Sequence, residues 1–193
     1  MSEKKGKIFV ISSPSGGGKS TIVRKILSEF PEIVFSVSAT TRPKRPDEID
    51  GVHYFFLTEN HFLDKIKNDE FIEWERFYDY YYGTLKTFVI DYIKNGKSVL
   101  LEIDVKGALS VKKNFSDAVL IFIDVPSFEE LVIRLKKRKT ESQADLQKRI
   151  DRAKMELSYK DKFDYIFVNK DLEEVTSQIK SLIREILKKG EIV

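Results

Sequence analysis

The sequence predicts an α/β protein. A parallel sheet flanked by helices carries a glycine-rich phosphate loop, and a small β-rich insertion spans about residues 35–93. Three observations carry this prediction. Apolar runs of strand length alternate with segments whose apolar residues recur at helical spacing, the rhythm of strand–helix–strand units with right-handed crossovers. The stretch Lys7 to Thr21, KIFVISSPSGGGKST, passes from an apolar run through three glycines into a helix start. From Phe35 to Ile93 the rhythm breaks, and aromatic and polar residues take over.

The first element is the strand Ile8, Phe9, Val10 and Ile11. It opens into a loop of Ser13, Pro14, Ser15, Gly16, Gly17 and Gly18, followed by Lys19, Ser20, Thr21 and a helix with Ile22, Val23, Ile26 and Leu27 on one face. Strand, glycine loop and helix form the context in which GK[ST] marks a phosphate site. Glycines let backbone N–H groups converge on one concavity, and the helix N-terminus adds its own attraction for an anion. In such a loop Lys19 reaches the β- and γ-phosphates and the Ser20 hydroxyl ligates Mg²⁺. Ser13 stands where the pattern G-x-x-x-x-G-K-[ST] has its first glycine, and its small side chain suits the tight turn. A glycine-rich turn with a polar helix start is the alternative. It explains the tripeptide but not the strand and apolar helix face around it.

Further along, Phe30-Pro31 ends the first helix and Ile33 to Val37 reads as a second strand. Ser38 to Glu48 is polar and basic with two prolines, hence a loop. Val52 to Leu57 is strand-like, and Thr58 caps a helix carrying Phe62, Leu63 and Ile66. Phe71 to Phe77 alternates as a strand, yet Glu73 and Glu75 share a face with Phe71 and Phe77, so a simple wet/dry sheet does not explain it. Tyr80 to Thr84 reads as a turn. Leu85, Phe88, Val89, Tyr92 and Ile93 follow helical spacing up to a stop at Asn95-Gly96. Two strand runs end in acids, Val99 to Asp104, beside a Gly107 turn, and Ala118 to Asp124. Ser127 to Glu130 and Asp171 to Glu174 resemble helix caps. A very basic segment, Arg134 to Arg149, lies between them. Tyr165 to Val168 is a last strand, and Val175, Ile179, Leu182 and Ile186 mark a closing helix.

Composition narrows the function. At 193 residues, 41% apolar and 34% charged, the chain has the profile of one globular unit that buries roughly 70% of its unfolded surface. Basic residues number 34 and acidic ones 31, a net charge of +3, too weak to argue for nucleic acid or a membrane surface. The absence of cysteine excludes thiolate catalysis, and only His53 and His61 are available as imidazole ligands. The polar start MSEKKGK lacks the apolar stretch of a signal peptide, and the longest apolar run, Ala118 to Ile123, is short for a membrane span. The expectation is a soluble, cytoplasmic protein that does not bind nucleic acid or membrane; no feature marks an oligomeric state.

In order, SPSGGGKST, SVSATTRPKRPDEIDGVHYFF, FIEWERFYDYYYGT, LLEIDVKGA, the basic segment and FVNKDL resemble the guanylate kinase family, from Lys7 to about Ile186. The resemblance implies a P-loop NTPase core (1–34 and 94–193), a GMP-binding insertion (35–93) and a mobile lid (137–150) within a single domain. It implies transfer of the γ-phosphoryl group of MgATP to GMP, and to dGMP, in purine metabolism. By position, Ser38 and Thr84 match hydroxyls beside the guanine, and Glu73 and Asp104 match carboxylates on its N1 and N2. Arg42, Arg45, Tyr54 and Tyr82 match the groups around the GMP phosphate. Arg134, Arg138 and Arg149 match basic residues gathered on the transferring group, alongside Lys19. Asn169 falls where the family contacts adenine through main chain.

Elementary chemistry agrees with these matches. Guanine presents N1–H and N2–H₂ donors beside O6, so its reader supplies carboxylates and a hydroxyl. Forked guanidiniums with phenols suit a monophosphate. Asp104 has an alternative as an acid serving Mg²⁺, with Glu102 two residues away as a partner; the family match favours guanine. A non-catalytic interaction module, or a P-loop kinase of another acceptor, is the rival function. The intact Lys19, Ser20 and basic residues speak against the first, and an acceptor screen separates the second.

Overall fold

A computed structural model describes residues 5–77, 79–137 and 143–189 of the chain. Its main sheet has the order β2-β7-β1-β8-β9 with every pairing parallel: β1 is Ile8–Ser12, β2 Val34–Phe35, β7 Val99–Glu102, β8 Val119–Asp124 and β9 Tyr165–Val168. β1 is central, paired Ile8 to Val99 on one side and Phe9 to Val119 on the other. Its residues are buried throughout, as expected when both faces of a parallel sheet are covered. Successive side chains go to opposite faces. Ile8, Val10, Leu101, Leu120 and Phe122 join one core with Val89 of α3 (Lys86–Lys94) and with Val105, Ala108 and Val111 of α4 (Val105–Asn114). Phe9, Ile11, Leu100, Ile121 and Ile123 join the other with Ile22, Val23 and Ile26 of α1 (Lys19–Glu29) and Val175, Ile179 and Ile183 of α7 (Leu172–Lys189).

A second, four-stranded sheet has the order β4-β3-β6-β5, formed by β3 (Ala39–Thr40), β4 (Phe55–Phe56), β5 (Phe71–Phe77) and β6 (Tyr80–Leu85). The helix α2 (Glu59–Lys67) covers it with Phe62, which stacks on Phe71 at 4.3 Å and on Tyr81 at 5.4 Å. The Thr58 hydroxyl accepts from the His61 N–H and caps α2 as expected. Two helices, α5 (Phe128–Lys136) and α6 (Gln143–Leu157), pack around Leu131, Leu135 and Ala153.

Four local expectations are corrected. Within Ser38 to Glu48, read as a loop, Ala39–Thr40 is strand β3, held between β4 and β6. Tyr80 to Thr84 is strand β6, paired with β5 from Phe77–Tyr80 to Phe71–Leu85. Aromatic side chains packed across a sheet outweigh the turn tendency of a glycine, and Gly83 is where Phe71 approaches: an added Cβ would lie 2.9 Å from its ring. The acid-ended run stops as a strand at Glu102, and Asp104 is the N-cap of α4, its Oδ1 accepting from the N–H groups of Lys106 (2.8 Å) and Gly107 (3.2 Å). Gly107 therefore lies inside a helix rather than in a turn. The mixed face of β5 also has its explanation. A register irregularity between Phe71 and Glu73 buries Phe71, Ile72 and Glu73 in succession, and Glu73, Glu75 and Phe77 together wall a cleft.

Candidate active site

The phosphate loop is shaped by its glycines. Gly16 and Gly18 adopt φ of 89° and 90°, left-handed values that side chains other than glycine seldom tolerate. Gly18 is the residue before α1, so the N–H groups of that helix's first turn face the loop's hollow. Asn169 braces the loop from behind: its Nδ2 donates to the Gly17 carbonyl at 2.8 Å. Its N–H donates to the Asp124 carbonyl and its own carbonyl accepts from Arg134 Nη2. Ser13, Pro14, Ser15, the three glycines, Lys19, Ser20 and Thr21 all line one cavity of about 500 Å³.

Next to it is a second cleft of about 290 Å³, walled by Ser38, Tyr54, Glu73, Tyr82, Asp104 and Lys19. Lys19 belongs to both cavities, its Nζ held 3.0 Å from the Ile103 carbonyl. Ser20 donates its hydroxyl to Glu102 Oε1 at 2.5 Å. The pair offers a hydroxyl and a carboxylate oxygen side by side at a phosphate loop, the hard-oxygen donor set that Mg²⁺ takes up together with phosphates.

Glu73 is 7% exposed. Burial pushes its carboxyl up to about 7, the charges of Asp104 and Glu75 push the same way, and a hydrogen bond from Thr84 opposes them. That bond runs from Thr84 Oγ1 to Glu73 Oε1 at 2.6 Å. Its other oxygen, Oε2, packs against α4: a Cβ on Gly107 would stand 2.7 Å from it. Gly107 is thus the gap that Glu73 fills.

Of the expected phosphate clamp, Tyr54 and Tyr82 meet edge to face at 6.1 Å. Arg42 is engaged by Glu48 at 2.6 Å and lies over the rings of Tyr54 and Phe56. Glu48 also accepts from the Arg45 N–H, and these contacts hold its carboxyl down to about 2. Arg45 has an exposed side chain and neither arginine lines the second cleft. Arg149, on α6, donates to the Ser15 hydroxyl at 3.1 Å and lines the loop cavity. Arg134 pairs with Glu130 at 3.0 Å and lines neither cavity. Arg138 lies outside the described residues.

Sequence reasoning missed Arg24, Glu75, Arg152 and Glu156 as lining residues. Glu75 carried a signal, sharing the odd face with Glu73. Arg152 and Glu156 are four apart on α6, a spacing that shows only once that helix is recognised.

A loop built to wrap a chain of phosphates, with a lysine that also faces a second cleft lined by acids and tyrosines, defines a P-loop enzyme that moves a phosphoryl group between two bound molecules. The family described as guanylate kinase matches residues 5–186. A guanylate kinase of Thermotoga maritima is 49% identical over 180 residues, covering 93% of this chain and 87% of the relative. One from Caldanaerobacter subterraneus is 45% identical over 94% of this chain and 88% of its own. The crystal structure of guanylate kinase from Anaplasma phagocytophilum aligns with a TM-score of 0.77 at 33% identity, covering 95% of this chain and 87% of that one. The chain belongs to the guanylate kinase family, the ATP:GMP phosphotransferases.

Proposed function

We propose that, in converting ATP and GMP to ADP and GDP, the chain holds the triphosphate of ATP in the loop cavity and GMP in the adjoining cleft. The observation that carries this reading is Lys19, which follows the phosphate loop directly and whose side chain lines both cavities. From that position its ammonium follows charge as the phosphoryl group leaves one molecule for the other. The attacking oxygen is a phosphate oxygen and already anionic, so no general base is needed. Catalysis then consists of alignment and charge neutralisation. The loop N–H groups and Thr21 hold the donor, with Asn169 bracing the loop and its backbone set beside the adenine. Arg149 is drawn from the Ser15 hydroxyl toward the phosphates; Arg134 and Arg138 join it, and residues 137–150 act as the lid. Ser20 and Glu102 would hold Mg²⁺, which when bound neutralises phosphate charge.

On the acceptor side, Glu73 and Asp104 take the guanine N1 and N2 donors while Ser38 and Thr84 supply hydroxyls. Arg42, Arg45, Tyr54 and Tyr82 hold the GMP phosphate within the 35–93 insertion, Arg42 exchanging Glu48 for it. No side chain is assigned to the ribose 2′ position, so dGMP is a substrate as well. No helix among the described residues is long and apolar enough to cross a membrane. With the balanced charge, this supports a cytoplasmic enzyme of purine nucleotide metabolism that binds small molecules rather than nucleic acid. A coupled ADP-release assay with Mg²⁺ and GMP, dGMP, AMP or UMP tests the reading. GMP and dGMP should turn over with kcat/KM about 10³-fold or more above AMP and UMP. Equal turnover on all four would refute it.

A further inference from the structure

We propose that Arg152 is a positioning residue that couples the two nucleotide pockets, so that MgATP in one tightens GMP in the other. The inference rests on the assignment of the two cavities made above. Arg152 lines both of them. From α6 its Nη2 donates to Glu75 Oε2 at 2.8 Å and its Nε to Glu156 Oε1 at 3.0 Å. Glu156 in turn accepts the Ser15 N–H of the phosphate loop through Oε2 at 2.9 Å. A continuous strut therefore runs from the loop through Glu156, Arg152 and Glu75 to strand β5, which carries Glu73. The guanidinium also lies over the Phe77 ring, its Cζ 4.0 Å from the ring centre.

This strut differs from an ordinary surface ion pair. The side chains of Arg152, Glu75 and Glu156 are 19%, 22% and 6% exposed. A planar guanidinium held by two carboxylates and an aromatic face has little rotational freedom, so displacement at one end reaches the other. Glu75 belongs to the acid wall of the guanine cleft: burial and the adjacent Asp104 charge raise its carboxyl above the ordinary range, and Arg152 opposes them. At the far end, the Ser15 N–H held by Glu156 belongs to the loop assigned to the triphosphate, and Arg149, two turns before Glu156 on α6, already reaches the Ser15 hydroxyl. Fixing α6 over one nucleotide fixes the β5 wall for the other. The second ligand meets a site already ordered, and the benefit is reciprocal.

Isothermal titration calorimetry of GMP, with and without the magnesium complex of the β,γ-imido analogue of ATP, reads this coupling. In the unaltered chain the analogue should tighten GMP about tenfold. In Arg152→Met and in Glu156→Gln, which cut the strut at different points, the factor should fall below about twofold, whatever GMP affinity each retains without analogue. Arg152→Lys, which keeps the charge but not the fork, should give an intermediate factor. Either cut variant keeping the full factor, or the unaltered chain showing none, overturns the coupling. So does a variant that loses GMP affinity equally in both conditions, since its defect is local. The cavity assignment fails separately, if Glu73→Gln leaves GMP affinity unchanged.

Discussion

Glu73 has a buried carboxyl whose hydrogen bonds come from Thr84. Its neighbours are the hydroxyl and backbone of Thr84, two other acids and the backbone of Gly107. With its carboxyl pushed up to about 7, the free enzyme loses the acceptor as pH falls below that value. Accordingly kcat/KM for GMP should drop about tenfold per pH unit below pH 7. GMP's own phosphate titrates near pH ~6, and in Glu73→Gln only that lower limb should persist. Stability carries the opposite sign. Protonation favours the folded state, so the cost of the ionised form is absent below the ordinary value of 4.5, grows up to about 7 and is constant above. Glu73→Gln should therefore stabilise the chain at pH 8 by about 3 kcal/mol at most, and hardly at all at pH 4, measured by urea unfolding. Gly107→Ala tests the same contact from its other side. Alanine favours a helix interior by about 1 kcal/mol over glycine, yet its Cβ displaces the Glu73 carboxylate. Thermal stability should hold while KM for GMP rises several-fold. The site acids were legible because carboxylates amid phenylalanines are unusual. The Gly107 gap was not, because it depends on the distance between two elements remote in sequence.

At the scale of elements, Asp104 serves α4 and the cleft together. Asparagine caps a helix about as well as aspartate, whereas alanine costs about 1 kcal/mol. Asp104→Asn should keep the melting temperature but weaken GMP binding; Asp104→Ala should lose both, and circular dichroism with GMP titration separates the effects. At the start of α1, Lys19→Met should lower kcat about 10²–10³-fold with little change in GMP KM, since the lysine acts on the charge in transit. Helices α2 and α7, with their apolar spacing, and strand β1, with its uninterrupted apolar run, were readable from pattern alone. Strand β6 was hidden because its three tyrosines and a glycine look like a turn until cross-strand packing against β5 and α2 is known. Helix α4 was hidden because Gly107 reads as a turn, and α6 because polar and charged residues dominate it; their apolar contacts are set by the sheet and by α5.

Across the whole molecule, two apolar layers clamp a five-stranded parallel sheet, and both cavities open beyond the carboxyl ends of β1 and β7, where such sheets place ligands. Rigidity at the sheet is what lets a lysine and a handful of acids hold position. Phe122→Ala, at a fully buried position, should cost about 3–5 kcal/mol, a large share of a stability of about 5–15 kcal/mol. The parallel core was legible because strands buried on both faces are apolar without interruption. The second sheet was legible in part: β5 shows in its alternation and β4 lies within the strand-like run Val52 to Leu57, whereas β3 sits in the stretch read as a loop and β6 in the one read as a turn.

The most direct measurement is the ratio of kcat/KM for GMP to that for AMP, in the unaltered chain and in Glu73→Gln. The account predicts a ratio of about 10³ or more in the first and a fall of at least about tenfold in the second, because AMP turns an acceptor toward the carboxylate where GMP offers donors. An unchanged ratio in Glu73→Gln would contradict it.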